Sequence, residues 1–216
     1  MVLAANLPVA GAPVPSDAFK TDSYTRLLLH FDEAPVKDES GKQVTVNQQG
    51  GNVVPNGKFG GALELSEREQ LLVVPASVLQ PQRGTFEIWI RPRKHAPSQS
   101  PFFENNRLSD KGAFFVFGET SIILYYHPEG MDDMVPFIIL NVPIPLENWY
   151  HVALCWDEDA SRIFINGICK AEGAPLEMNN QGEVVIGNLC REGNGDYCFT
   201  GLIDELRVSD VVRYKP

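Results

Sequence analysis

Apolar and polar residues alternate most sharply from Tyr150 to Trp156, with Val152, Leu154 and Trp156 on one side and His151, Ala153 and Cys155 on the other. A period of two is that of a strand. Asp157 to Ser161 forms a polar turn, Arg162 to Ile165 runs back, and Asn166-Gly167 reverses the chain again, since this pair tolerates the positive φ of tight hairpin turns. That register sets Cys155 opposite Arg162 or Ile163. Gly84 to Pro92 is the clearest strand: Phe86, Ile88 and Ile90 face the core, Thr85, Glu87, Trp89 and Arg91 face away, and Pro92 ends it. Tyr24 to Phe31 puts Leu27, Leu29 and Phe31 on one face and Leu28 and His30 on the other. Apolar residues on both faces predict a central, covered strand, with His30 a satisfied core histidine.

Shorter strands are expected at Val44–Val46, Gln70–Val74, Ala113–Phe117, Ile122–Tyr126, Phe137–Leu140, Glu183–Ile186 and Gly201–Val208, and one helical turn at Ala76–Leu79. Lys94 to Asp110 is polar and rich in Pro, Ser and Asn, the composition of an inserted loop. Many short strands separated by turn residues predict an all-β antiparallel sandwich. The 216 residues, 44% of them hydrophobic, with 16 Pro and 18 Gly at turn spacing, suit one domain over residues 22–216. Residues 1–21, rich in Ala, Val and Pro, read as a linker or extended amino-terminal segment. They lack the basic start and continuous apolar run of a secretory signal. Such a start suits an exported protein whose signal has been removed and equally an intracellular protein with an irregular amino end, and both ends look like those of a module from a longer chain.

A formal charge of -10 excludes the basic stripe that a nucleic-acid backbone needs. No stretch is long and apolar enough to insert in a membrane as a helix. The 4 cysteines form no Cys-x-x-Cys pair, against a zinc ribbon or thioredoxin-type centre. A Cys190–Cys198 disulfide closing the Gly-rich loop 191–197 is expected if the compartment is oxidising, with Cys155 and Cys169 as buried thiols. There is no Gly-x-Ser-x-Gly elbow, His-Glu-x-x-His helix or phosphate-binding Gly loop.

Several strings occur together and in order. Trp149-Tyr150-His151-Val152-Ala153 is followed by an acidic turn and Ile165-Asn166-Gly167. Leu29-His30-Phe31-Asp32 precedes Asp38-Glu39-Ser40-Gly41, and Gly57-Lys58-Phe59-Gly60-Gly61-Ala62-Leu63 comes next. Glu87-Ile88-Trp89 runs on to Pro92, and Phe199-Thr200-Gly201-Leu202-Ile203-Asp204-Glu205-Leu206-Arg207 closes the series. Together, over about residues 24 to 214, they resemble the laminin G-like, concanavalin A-like jelly-roll domains. The resemblance implies a concanavalin A-like jelly roll. Catalytic relatives, the laminarinase-like glycoside hydrolases and alginate lyases, carry clustered carboxylates such as Glu-x-Asp-x-Glu, about 5 Å apart in retaining enzymes. This chain has no such string, and Asp157-Glu158-Asp159 sits in a turn. The expected function is therefore a non-catalytic recognition module of an exported multidomain protein, secreted or at the cell surface, that binds carbohydrate. The alternative is an adhesion or spacer module contacting extracellular matrix or a surface protein.

Sugar binding needs exposed aromatic rings with polar groups beside them. The candidates are Trp89 with Glu87 on the outward face of its strand, and Tyr125, Tyr126 and His127 at a strand-to-loop junction. Alternation from Gly201 to Val208 puts Asp204 with Leu202, Leu206 and Val208 on an inward face, where an unpaired carboxylate is costly. A cation or loop amides would satisfy it, Arg207 being expected on the other face. The resemblance implies a structural calcium on Asp204, helped by Asp32 and by carbonyls around Gly60 or Gly61, the all-oxygen ligation that calcium prefers.

Overall fold

The alternating segments resolve into two antiparallel sheets whose inner faces share one core. The computed structural model describes residues 13–67, 69–94, 100–105, 110–187 and 198–216. Its strands are β1 (Thr25–Leu29), β2 (Asn47–Gln49), β3 (Asn52–Pro55), β4 (Gly61–Leu65), β5 (Leu71–Pro75), β6 (Gly84–Pro92), β7 (Ser100–Asn105) and β8 (Ala113–Phe117). The remainder are β9 (Ser121–Tyr126), β10 (Val135–Asn141), β11 (Tyr150–Trp156), β12 (Ser161–Ile165), β13 (Ile168–Gly173), β14 (Glu183–Ile186) and β15 (Gly201–Ser209). Sheet A runs β13-β12-β11-β6-β15-β4-β3, with β1 also paired to β15, and sheet B runs β10-β9-β8-β7-β14-β5-β2. A single 3-10 turn, Ala76–Val78, follows β5.

The central hairpin forms as its alternation predicts. Cys155 pairs with Arg162 and Trp156 with Ser161. Val152, Leu154 and Trp156 enter the core beside Phe86, Ile88 and Ile90 of β6, and the Trp156 indole N–H donates to the Gln80 carbonyl at 3.0 Å. Leu27, Leu29 and Phe31 join this core while Leu28 packs on the opposite face. β1 is therefore covered on both sides, although among the described residues it pairs with β15 alone.

Three expectations are corrected. The polar stretch after Lys94 contains β7, which pairs with β8 and β14 inside sheet B. Pro101 hides it in the sequence, since proline removes a ladder donor, and the register shift between Pro101 and Phe103 accommodates it. The strand expected at Val44–Val46 lies instead at Asn47–Gln49. Finally, β15 does not alternate evenly. A bulge between Asp204 and Arg207, with Glu205 at φ 48, reverses the phase. Ile203, Leu206 and Val208 face the core, whereas Asp204 pairs with Trp89 and Arg207 with Glu87 on the outer side.

That outer side of sheet A is covered. Phe19 packs with Leu28 and Trp89 against Phe59 and Trp149, and Tyr214 packs with Ala153, Cys155, Phe164 and Cys169 against Val212. The segments before β1 and after β15 therefore lie on this face, tied together by Arg213, whose guanidinium donates to both Asp22 oxygens at 2.9 and 2.8 Å. Arg213 holds the Asp22 carboxyl well below the usual range.

Candidate functional site

The register places two cross-strand rows on the outer face of sheet A. One is His151, Trp89 and Asp204; the other is Ala153, Glu87 and Arg207. Glu87 is fully buried and makes a hydrogen bond with His151 Nε2 at 3.1 Å, accepts from Arg207 Nε at 2.8 Å and accepts from the Tyr214 hydroxyl. Burial alone would raise its pKa, but the His151 hydrogen bond, the Arg207 charge and the Tyr214 hydroxyl hold it below the usual carboxylate range. The Tyr214 phenol is raised by burial and by the negative charge of Glu87. Trp89 is 2% exposed, with Phe59 edge-on at 6.0 Å and the Lys58 ammonium 4.3 Å from its ring centroid. Neither Trp89 nor Glu87 presents a surface to a sugar, because an outward face of a strand reaches solvent only where nothing lies over it.

The four residues expected around calcium do come together. Asp204 Oδ2 accepts from the amides of Lys58 and Phe59 at 2.7 and 2.9 Å, and Oδ1 from the amide of Glu205 at 2.7 Å. Asp32 Oδ1 accepts from the Gly61 amide at 2.7 Å, and the Gly60 carbonyl accepts from the Gly57 amide at 2.9 Å. Glycine is needed in this loop: a Cβ on Gly57 would lie 1.8 Å from the Gly61 carbonyl oxygen and 2.8 Å from Asp204 Oδ2. Burial pushes the Asp204 carboxyl up to about 7 against the pull of the Phe59 amide, with the Glu205 charge adding to the rise. Calcium needs six to eight oxygen ligands. Here N–H groups point at both carboxylates, and among the described residues no group of three or more His, Cys, Asp or Glu is placed to hold a metal. Loop amides thus satisfy both carboxylates, the remedy that the sequence left open beside a cation.

Beside it, Glu205 is fully buried and joins His30 Nδ1 at 2.8 Å to the Phe19 amide at 2.7 Å. The Glu205 hydrogen bond raises the His30 pKa. Glu87, Asp204 and Glu205 are thus sequestered and hydrogen-bonded, with no route by which they would act on a glycosidic bond.

Sheet B treats its aromatic candidates differently. Tyr125, Tyr126 and His127 are consecutive, so a strand sends them to alternate sides. Tyr126 points into the core, and its hydroxyl donates to the Glu177 carbonyl at 3.0 Å. His127 is buried at the strand end, with Nδ1 3.4 Å from Asp110 Oδ1 but making no hydrogen bond. Tyr125 alone faces outward. Its half-buried ring stacks on Phe114 of β8, centroids 4.8 Å apart and planes 5° apart. Pro136 lies opposite Tyr125 on β10 and Ile139 opposite Ile123, and both are exposed, Ile139 by 43%. Phe114 was missed because its strand reads Ala-Phe-Phe-Val-Phe, apolar throughout, and only the pairing with Tyr125 identifies its outward side.

Cys155 and Cys169 are buried thiols, as expected, and burial pushes Cys155 up to about 11. Cys198 is half-buried, and its expected partner Cys190 lies outside the described residues. No helix among the described residues is long and apolar enough to cross a membrane.

A family model described as the concanavalin A-like lectin/glucanases superfamily matches residues 66–215. No curated protein matches in sequence. Among solved structures, domain 4 of AbnA, a GH43 extracellular arabinanase from Geobacillus stearothermophilus, in complex with arabinotriose, is 19% identical with TM-score 0.68, over 88% of this chain and 93% of that one. The binding domain of Paraclostridial Mosquitocidal Protein 1 is 13% identical with TM-score 0.68, over 88% of this chain and 49% of the other. A botulinum neurotoxin type C structure, whose cell entry depends on interaction with two ganglioside molecules, is 15% identical with TM-score 0.66, over 88% and 48%. This chain spans about half the length of these two toxin chains. At such identities the likeness is one of fold.

Proposed function

Because the chain belongs to the concanavalin A-like lectin/glucanases superfamily, we propose that it is a non-catalytic carbohydrate-binding module of an exported multidomain protein, secreted or at the cell surface. The ligand lies on the outer face of sheet B, along β8, β9 and β10. The observation that carries this reading is the Phe114–Tyr125 pair, half-buried beside the exposed Pro136 and Ile139. Rings and aliphatic groups of this kind match the C–H faces of a sugar, and the Tyr125 hydroxyl adds a polar handle. The arabinotriose complex of the arabinanase domain and the ganglioside dependence of the neurotoxin supply the first ligands to try.

Titration calorimetry with arabino-oligosaccharides and ganglioside glycans tests the reading. Saturable heat is expected with one of these classes, weakened about tenfold in folded Tyr125→Ala and Phe114→Ala and unchanged in Trp89→Phe. Silence across a broad oligosaccharide panel favours the adhesion or spacer role. Turnover of any glycan, lost on replacing one carboxylate, refutes a binding module.

A further inference from the structure

Of residues 13–24 only Phe19 is buried. Its ring enters a pocket between Leu28, Trp89 and His151, with the Arg207 guanidinium 4.3 Å from the ring centroid. The main chain is gripped on both sides of the ring: the Phe19 amide donates to Glu205 at 2.7 Å, and Arg207 Nη1 donates to the Lys20 carbonyl at 3.2 Å. One aromatic anchor with charge-assisted bonds to the backbone before and after it is how a protein holds an extended peptide.

The walls carry contacts of their own besides those to the segment: Glu205 pairs with His30, and Arg207 with Glu87. The exposed residues Lys20 and Thr21 join Phe19 to Asp22, which pairs with Arg213. We infer that the outer face of sheet A is a peptide site for a phenylalanine-bearing extended segment, filled in cis by residues 13–20 and open in trans to the same segment of a second copy. Exchange of an identical element is a low-cost way to associate, and the cis segment competes through its high effective concentration. The site lies on the other sheet from the proposed glycan face and does not depend on it.

The test adds a synthetic peptide of residues 13–21 to full-length Phe19→Ala protein and follows binding by amide chemical shifts. Saturable binding with a Kd below about 1 mM is expected, with shifts at Trp89, His151 and Arg207. It weakens at least about tenfold for a peptide carrying Ala at the Phe19 position, and likewise for wild-type protein, whose own Phe19 competes. Should Phe19→Ala not fold, Phe19→Leu takes its place. A folded variant that shows no saturable shifts, or that binds no better than wild type, overturns the proposal.

Discussion

Asp204 keeps a buried carboxylate among aromatic and aliphatic neighbours by collecting three main-chain amides, two of them from the loop before β4. With these donors in place, thermal melts with calcium or a chelator are expected to superimpose. A calcium-dependent rise in Tm, lost in Asp204→Ala, would restore the metal. Asp204→Ala orphans the amides and is expected to cost about 2–5 kcal/mol in denaturant unfolding. The pH dependence has a definite sign. The folded Asp204 carboxyl, at about 7, binds its proton more tightly than the unfolded one near the ordinary value of about 4, so its contribution falls as pH rises between them. His30, raised by Glu205, contributes fully below its unfolded value of about 6.5 and loses that contribution as pH rises through its folded one. Asp22 and Glu87, both lowered, act in the other direction, losing stability as pH falls below about 4. Unfolding free energy is thus expected to be higher at mildly acidic pH than at pH 8, and His30→Gln to flatten the part above neutrality. That Asp204 needed a partner was legible in the sequence. Which partner was not, because the choice depends on the loop amides that the bulge at Glu205 brings within reach.

At the level of elements, strict alternation was a sound guide for β6 and β11, which pair without a register shift along their whole contact. It failed in β15, where one residue at positive φ moved Asp204 to the outer row and brought Arg207 onto the same side. It failed again at β7, whose Pro101 and polar neighbours conceal a strand held by partners on both sides. Close backbone approach fixes the loop before β4. The Gly57 position has no room for a methyl group, so Gly57→Ala is expected to lose more than about 3 kcal/mol. Gly41, with nothing within 4 Å but φ +78, is expected to lose only about 1–2 kcal/mol on the same change. Parallel denaturant titrations of the two variants separate these causes; equal losses would mean that the 57–61 loop yields.

In the whole molecule the two sheets have different fates. The string of motifs is enough to indicate the architecture, because they fall on the strands and turns that the sandwich requires: Glu87–Trp89 within β6, Tyr150–Ala153 within β11, Gly201–Arg207 within β15 and Gly57–Gly60 in the loop before β4. The covering of sheet A could not be read in the same way: Phe19 is an isolated apolar residue in a Pro- and Ala-rich stretch and has no period to betray it. That covering removes Trp89 and Glu87 from the surface, while Tyr125, with its neighbour Phe114, forms an outward aromatic pair among the described residues of sheet B. The most direct measurement of this division is a map of backbone amide shifts in labelled protein titrated with arabinotriose and with a ganglioside oligosaccharide. The account predicts saturable shifts confined to Phe114, Ile123, Tyr125 and Ile139 and their neighbours on β8, β9 and β10. Saturable shifts centred on Trp89, Lys58 or Asp204, with sheet B silent, would contradict it.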